Sequence, residues 1–220
     1  MKPKIAYIMS RFPHLPETFI LREINDLERQ GQPIALYPLI KQRQAVVHRQ
    51  AEPWKKRARY YPFLSAAVLN NYLNFLITNP RRMVKITFTI LRNTLTHPGV
   101  LIRSLILLPK STAMAQDMVQ RQIKHIHAHY ATYPALSAWI IHQLTGIPYS
   151  LTVHAHDIFV HHEMLREKTE QAAFIAAISE FNRRYLVEKI SPDLSEKIHI
   201  VHCGIDPAWY REKDINPGSD

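Results

Sequence analysis

The sequence predicts an α/β fold of the Rossmann-like, doubly wound kind, a parallel sheet interrupted by a basic helical insertion. Segments of strand character alternate with segments of helical spacing at both ends of the 220-residue chain. Gly31 and Gly146 sit where a helix must stop before the next strand. Between these two regions, from about Tyr60 to Arg121, apolar and basic residues recur at helical spacing with no strand pattern.

Lys4–Ser10 is short, apolar and followed by a proline-containing loop, which suits a buried first strand. Thr18–Gln30 sets Phe19, Ile20, Ile24 and Leu27 on one side and charges on the other, so it reads as a helix capped by Glu17 or Thr18. Pro33–Pro38 is the second strand, and strand–helix–strand in forty residues implies a parallel pair. The middle region should form three helices, broken at Pro80, Pro98 and Pro109. Its uncharged run Tyr60–Asn79 carries Pro62, Ser65, Asn70, Asn71 and Asn74, which argues against a membrane span. Strands follow at His125–His129, Tyr149–His154, Ala173–Ser179 and Lys197–His202, with helices at Tyr133–Leu144, Glu163–Gln171 and Glu180–Lys189 between them.

The net charge of +10 is uneven. Lys41–Lys124 holds 15 Lys/Arg against Glu52 and Asp117, a net +13, so the rest of the chain is at −3. A basic surface of this size meets anionic lipid, phosphorylated substrate or nucleic acid. Nucleic acid is not expected as a partner, because no helix-turn-helix, finger or aromatic RNA-binding pattern accompanies the charge. One cysteine, Cys203, excludes an internal disulfide framework and fits a reducing compartment. Met1–Lys4 runs into the first strand without a leader pattern, and the chain reads as cytoplasmic.

In doubly wound sheets, ligands sit outside the carboxyl ends of the strands. That rule points to Ser10–Thr18, His129–Tyr133, His154–Asp157 and Ser179–Asn182. Five glycines in all leave no room for a dinucleotide fingerprint or a Walker loop, so no ordinary nucleotide cofactor is expected. The loop Ser10–Thr18 instead opens a helix whose free N–H groups favour an anion, with Arg11 beside them. His125, His127 and His129 alternate on one face of a strand, and His154 and His156 follow the next. No metal site is expected of them: His154-Ala-His-Asp157 lacks the metallo-β-lactamase spacing, and no HExxH occurs. His125 and His127 read as packed or hydrogen-bonded strand residues, whereas His154 and Asp157 reach the crevice, where an imidazole near a carboxylate can bind substrate oxygens or stabilise charge.

The blocks SRFPHLPETFILREINDLERQGQPIALYPL, HAHYATYPALSAWIIHQLTGIPYSLTVHAHDIF, AAISEFNRRYL and IHIVHCGIDPAWY, in this order, resemble glycosyltransferase family 4, nearest its colanic-acid and exopolysaccharide branch. The resemblance implies a GT-B fold, in which two Rossmann-like domains face each other across a cleft. Residues 1–206 would be the amino-terminal, acceptor-side domain, with the insertion at about 43–120. Residues 207–220 would be a linker toward a donor-binding domain whose E-x7-E element this sequence lacks.

On this resemblance the activity is retaining transfer from a nucleotide-sugar co-substrate to a lipid-linked saccharide, with the donor-binding domain or subunit as partner and no further cofactor. His154 would be catalytic together with Asp157. Arg11, His14, Glu17, Thr18, His129, His156, Ser179, Glu180 and Asn182 would line the substrate cleft, and Gly204, Ile205 and Asp206 match the G-[IV]-D step into the linker. Phe12, Pro13 and His14 stand where many relatives carry paired glycines. Arg81, Arg82, Lys85, Arg92 and Arg103, alternating with Met83, Ile86, Phe88, Ile90 and Leu91, would lie on the anionic inner face of the plasma membrane. The alternative is a non-enzymatic module that holds a saccharide or lipid head group on the same fold.

Overall fold

The computed structural model describes residues 2–44, 46–160 and 163–204. Six strands, β1 (Ile5–Phe12), β2 (Ile34–Lys41), β3 (His125–His129), β4 (Tyr149–Val153), β5 (Phe174–Ala177) and β6 (Ile198–Ile200), form one sheet in the order β2-β1-β3-β4-β5-β6. All five pairings are parallel. The Rossmann-like architecture expected from the alternation is therefore present.

Several strand ends differ from the sequence reading. β1 continues to Phe12 because Arg11 and Phe12 pair with Ile40 and Lys41 of the lengthened β2. β2 passes through Pro38, which is tolerable because β2 is the sheet's edge, where a missing N–H need break no ladder bond. β4, β5 and β6 are shorter than expected, with β6 only three residues long.

Helices α1 (Thr18–Arg29) and α2 (Glu52–Arg57) cover β1 and β2 on one face, enclosing Tyr7, Met9, Ile20, Ile24, Leu36 and Trp54. Glu17 occupies the N-cap of α1 but its side chain makes no cap hydrogen bond, so the expected capping role falls away. Gly31 and Gly146 both take φ of +76°, the left-handed turn that ends α1 and α6 (Tyr133–Thr145).

The insertion forms the three helices expected, α3 (Ala66–Thr78), α4 (Pro80–Thr94) and α5 (Pro98–Gln120), after the short α2. Ser65 caps α3 by accepting from Val68 N–H at 3.2 Å, and prolines open α4 and α5. Pro109, however, does not break α5. A mid-helix proline costs about 3 kcal/mol or more. Burial of Leu107, Leu108, Met114 and Met118 offsets it at about 1.5–3 kcal/mol each. Lys110, itself buried, donates to Leu39 O and lies over the Phe63 ring.

The short α7 (Ala155–Phe159) follows β4 where a loop was expected, and α8 (Leu165–Glu170) and α9 (Glu180–Lys189) complete the fold. The main core lies between the sheet and α3–α6, α8 and α9, around Ile126, Trp139, Ile140, Leu151 and Ile175. Residues 205–220, which include Ile205, Asp206 and the expected linker, lie outside the described residues. No helix of the described residues is long and apolar enough to cross a membrane.

The insertion is tied to the sheet by Asp117 on α5. Its carboxylate accepts from the Tyr37 hydroxyl of β2 at 2.7 Å and from Arg121 Nε at 2.9 Å. Asp117→Ala leaves the Tyr37 hydroxyl without its acceptor, and urea unfolding should show a loss of about 2–3 kcal/mol.

Candidate functional site

β1 has β2 on one side and β3 on the other, so the loops leaving β1 and β3 part at their carboxyl ends. A crevice opens at such a switch point. Here it holds a cavity of about 420 Å³. Arg11 and Glu17 reach it from β1 and the following loop, Tyr130 from the end of β3, Asp157 from α7, Arg103 from α5 and Lys168 from α8. His14 and His156 also line it, so five of the expected site residues meet here.

The wall carries opposed charges in a poorly hydrated place. Burial pushes the Glu17 carboxyl up to about 7 against the pull of the Tyr130 hydroxyl and Arg11. Asp157 is likewise raised by burial, to about 6, although backbone N–H groups favour its ionised form. Burial lowers the Lys168 ammonium to about 8, with Glu163 and Asp157 acting the other way. Arg11 and Arg103 are exposed on the rim.

Asp157 works as a strut. One oxygen accepts from the His154 backbone N–H at 2.7 Å and the other from Ala131 N–H. A single carboxylate therefore joins the end of β3 to the start of α7. Tyr130 beside it holds a φ of +76°, an outlier for a bulky residue that its neighbours must enforce.

His154 packs against two aromatic rings, with centroids 5.1 Å from Phe19 and 4.8 Å from Tyr130. Burial, with His129 nearby, lowers it to about 4, so the imidazole is neutral at physiological pH. Its Nε2 is buried with no hydrogen-bond partner. The ring borders the crevice loops, although it lines neither this cavity nor a second one of about 630 Å³.

Other expected residues are placed elsewhere. Ser179 caps α9 by accepting from Asn182 N–H at 3.2 Å, and the buried Asn182 amide reaches Val153 O at 3.4 Å. Glu180 pairs with Arg183 at 3.2 Å on the surface, and the Thr18 hydroxyl accepts from Arg22 at 3.2 Å. His129 faces a second cavity, of about 630 Å³, on the opposite face of the sheet beneath α1. Of the insertion residues, Arg103 lines the first cavity and Arg82 donates to Leu144 O at 2.6 Å, at the carboxyl end of α6. Tyr130 falls in the strand-end segment His129–Tyr133 that the sequence pointed to, whereas Lys168 and Glu163 were not singled out, since they sit in a charged stretch that reads as helix.

Residues 47–209 match the family model described as Glycosyltransferase Family 4, well over half of the chain. The chain belongs to this family. Solved structures similar to it include a glycosyltransferase from Rickettsia africae, 13% identical with a TM-score of 0.50 over 98% of this chain and 47% of that one. A sucrose-phosphate synthase chain from Thermosynechococcus elongatus is 14% identical with a TM-score of 0.53, covering 92% of this chain and 90% of that one. A UDP-GlcNAc 2-epimerase from Neisseria meningitidis, bound to UDP-GlcNAc, is 11% identical with a TM-score of 0.53, covering 90% of this chain and 46% of that one. At these identities the likeness is one of fold, the Rossmann-like α/β domain of GT-B glycosyltransferases. The family 4 chain spans about half the length of the Rickettsia and Neisseria proteins. No curated protein matches it.

The cavity acids and the buried histidines respond to pH in opposite directions. Neutral His154 and His127, lowered to about 4 and about 3, contribute stability above pH 6.5 that is lost as pH falls toward those values. Glu17, raised to about 7, takes up its proton in the folded state first, which adds stability as pH falls from 7 toward 4.5. Thermal unfolding across pH 7 to 4.5 should therefore show a steeper loss for Glu17→Gln than for the unaltered protein.

Proposed function

We propose that the chain is the acceptor-side domain of a retaining, two-domain glycosyltransferase that extends a lipid-linked saccharide in polysaccharide synthesis. The observation that carries this reading is the cavity at the β1–β3 switch point, with the neutral His154, its Nε2 free of any hydrogen bond, packed against the lining residue Tyr130. A donor-binding domain or subunit would close over the carboxyl ends of the strands and bring the nucleotide sugar, and no other cofactor is needed. His154 Nε2 is then the group that meets the transferring sugar, where a preorganised hydrogen bond in a water-poor site counts most. Asp157 positions it by holding its backbone N–H. Arg11, Arg103 and Lys168 give the cavity the positive charge that a phosphate-linked acceptor requires, and Glu17, His14 and His156 face its hydroxyls. Thr18, Ser179, Glu180 and Asn182 support the surrounding loops more than they line the cavity, and His129 faces the second cavity.

The same reading places the protein at the inner face of the plasma membrane, as a peripheral protein of the cytoplasm. On α4, Met83, Ile86 and Ile90 turn into the core, which leaves Val84, Phe88, Leu91 and Leu95 exposed along one stripe. Arg81, Lys85 and Arg92 share that outer surface, and Ile102 and Ile106 of α5 add to the exposed apolar area. An apolar stripe flanked by cations is suited to an anionic lipid surface.

Joined to a donor domain, the His154→Ala protein should transfer sugar about a hundredfold or more slowly at an unchanged fold. Equal turnover would sink the assignment. In vesicle sedimentation, Arg81→Glu, Lys85→Glu and Arg92→Glu together should weaken binding to anionic liposomes by roughly a hundredfold, at about 1 kcal/mol per cation removed. Equal binding of the unaltered protein to neutral and anionic vesicles would remove the electrostatic part of the proposal.

A further inference from the structure

On the α1 side of the sheet, Glu23 of α1 comes to His127 and His129 of β3. One ligand atom from each lies within 4.8 Å of the others. His129 is fully buried, and neither of its ring nitrogens has a hydrogen-bond partner. Its Nε2 stands 3.4 Å from Glu23 Oε2, longer than the usual 2.9–3.0 Å or so of an N–H···O bond. A buried imidazole whose ring nitrogens make no well-formed hydrogen bond is costly, and Glu23 is the group within reach of it.

We propose that Glu23, His127 and His129 bind a divalent transition-metal ion, zinc first. Two imidazoles and a carboxylate form the donor set of a three-ligand zinc site that keeps a further position open. With bonds of about 2.0–2.2 Å, two ligands of a tetrahedral zinc stand roughly 3.3–3.5 Å apart. The His129–Glu23 separation of 3.4 Å already has this value. His127 Nε2 lies 4.0 Å from Glu23 Oε1, so a small rotation of its ring and of the carboxylate completes the set.

The surroundings also suit a metal site. Glu23 Oε1 accepts from the Tyr7 hydroxyl at 2.7 Å, which fixes the carboxylate. His127 Nδ1 lies 2.8 Å from Ser150 Oγ, the outer partner that a metal-bound imidazole needs on its second nitrogen. Binding through Nε2 displaces only the 2.9 Å contact with the Thr152 hydroxyl. All three ligands line the cavity of about 630 Å³, which supplies an entry path and room for water or a bound anion at the open position. The site shares no lining residue with the cavity of about 420 Å³, although the His129 ring lies 6.4 Å from that of His154, and metal binding is read separately from sugar transfer.

The test is a zinc titration of chelator-treated protein, in competition with a chromophoric chelator, with cobalt(II) absorption as a second readout. The expected result is one zinc per chain, a cobalt d–d band of tetrahedral intensity, and a melting temperature raised by zinc. Glu23→Gln and His129→Asn should each abolish the cobalt band, and Ser150→Ala should weaken zinc by roughly tenfold. His97→Asn, at an exposed position on another element, should bind as the unaltered protein does. Circular dichroism of each variant separates loss of ligand from loss of fold, and Glu23→Asp offers a milder change at the same position. The proposal is overturned if no stoichiometric zinc is bound, or if binding survives both Glu23→Gln and His129→Asn in folded protein.

Discussion

Strand β1 is hydrogen-bonded along both edges, to β2 and to β3, and the geometry of the whole molecule follows from that arrangement. Because the chain steps outward to β2 and then returns across β1 to build β3–β6, two loops must diverge at the carboxyl end of β1. The long return path is the helical insertion, so the same constraint creates the crevice and brings Arg103 of α5 to its wall. A parallel sheet needs such crossovers, and here one crossover has been enlarged into a structural layer of its own.

Within the crevice, the Asp157 carboxylate governs local geometry. By accepting from Ala131 and His154 N–H groups at once, it fixes the ends of β3 and β4 relative to each other. The unusual backbone of Tyr130 and the ring of His154 packed against it lie at the same pair of turns. Desolvation then does the electrostatic work: it keeps His154 neutral and holds Glu17 near the middle of its titration at physiological pH. A crevice prepared in this way has little need to reorganise when substrate arrives.

The insertion serves two faces. Inward, α4 and α5 supply core side chains and the Asp117 tie to β2, and Arg82 satisfies a carbonyl at the end of α6. Outward, α4 presents apolar side chains beside cations. One helical segment thus carries core, cavity wall and candidate membrane surface, and its charge excess cannot be assigned to one of them from composition alone.

The order of strands and helices was legible in the residues, because period-2 and period-3.6 hydrophobicity and the two turn glycines are local signals. His125–His129 and Glu180–Lys189 were placed from those signals with the boundaries they have in the structure. Pro109 and Pro38 misled that reading, since whether a proline breaks an element depends on packing and on edge position, which no local window contains. The strand-end loops also pointed to Arg11, Glu17 and Asp157 through the general rule for parallel sheets. What the sequence could not contain was the company these residues keep. Lys168 at the cavity wall and Glu23 beside His127 and His129 are brought there from separate helices, by a fold in which distant segments meet. The sequence by itself determined the alternating elements and the family to which they belong. Only the tertiary structure decided which charges are desolvated and which histidines lack partners, because burial and hydrogen bonding are properties of neighbours in space.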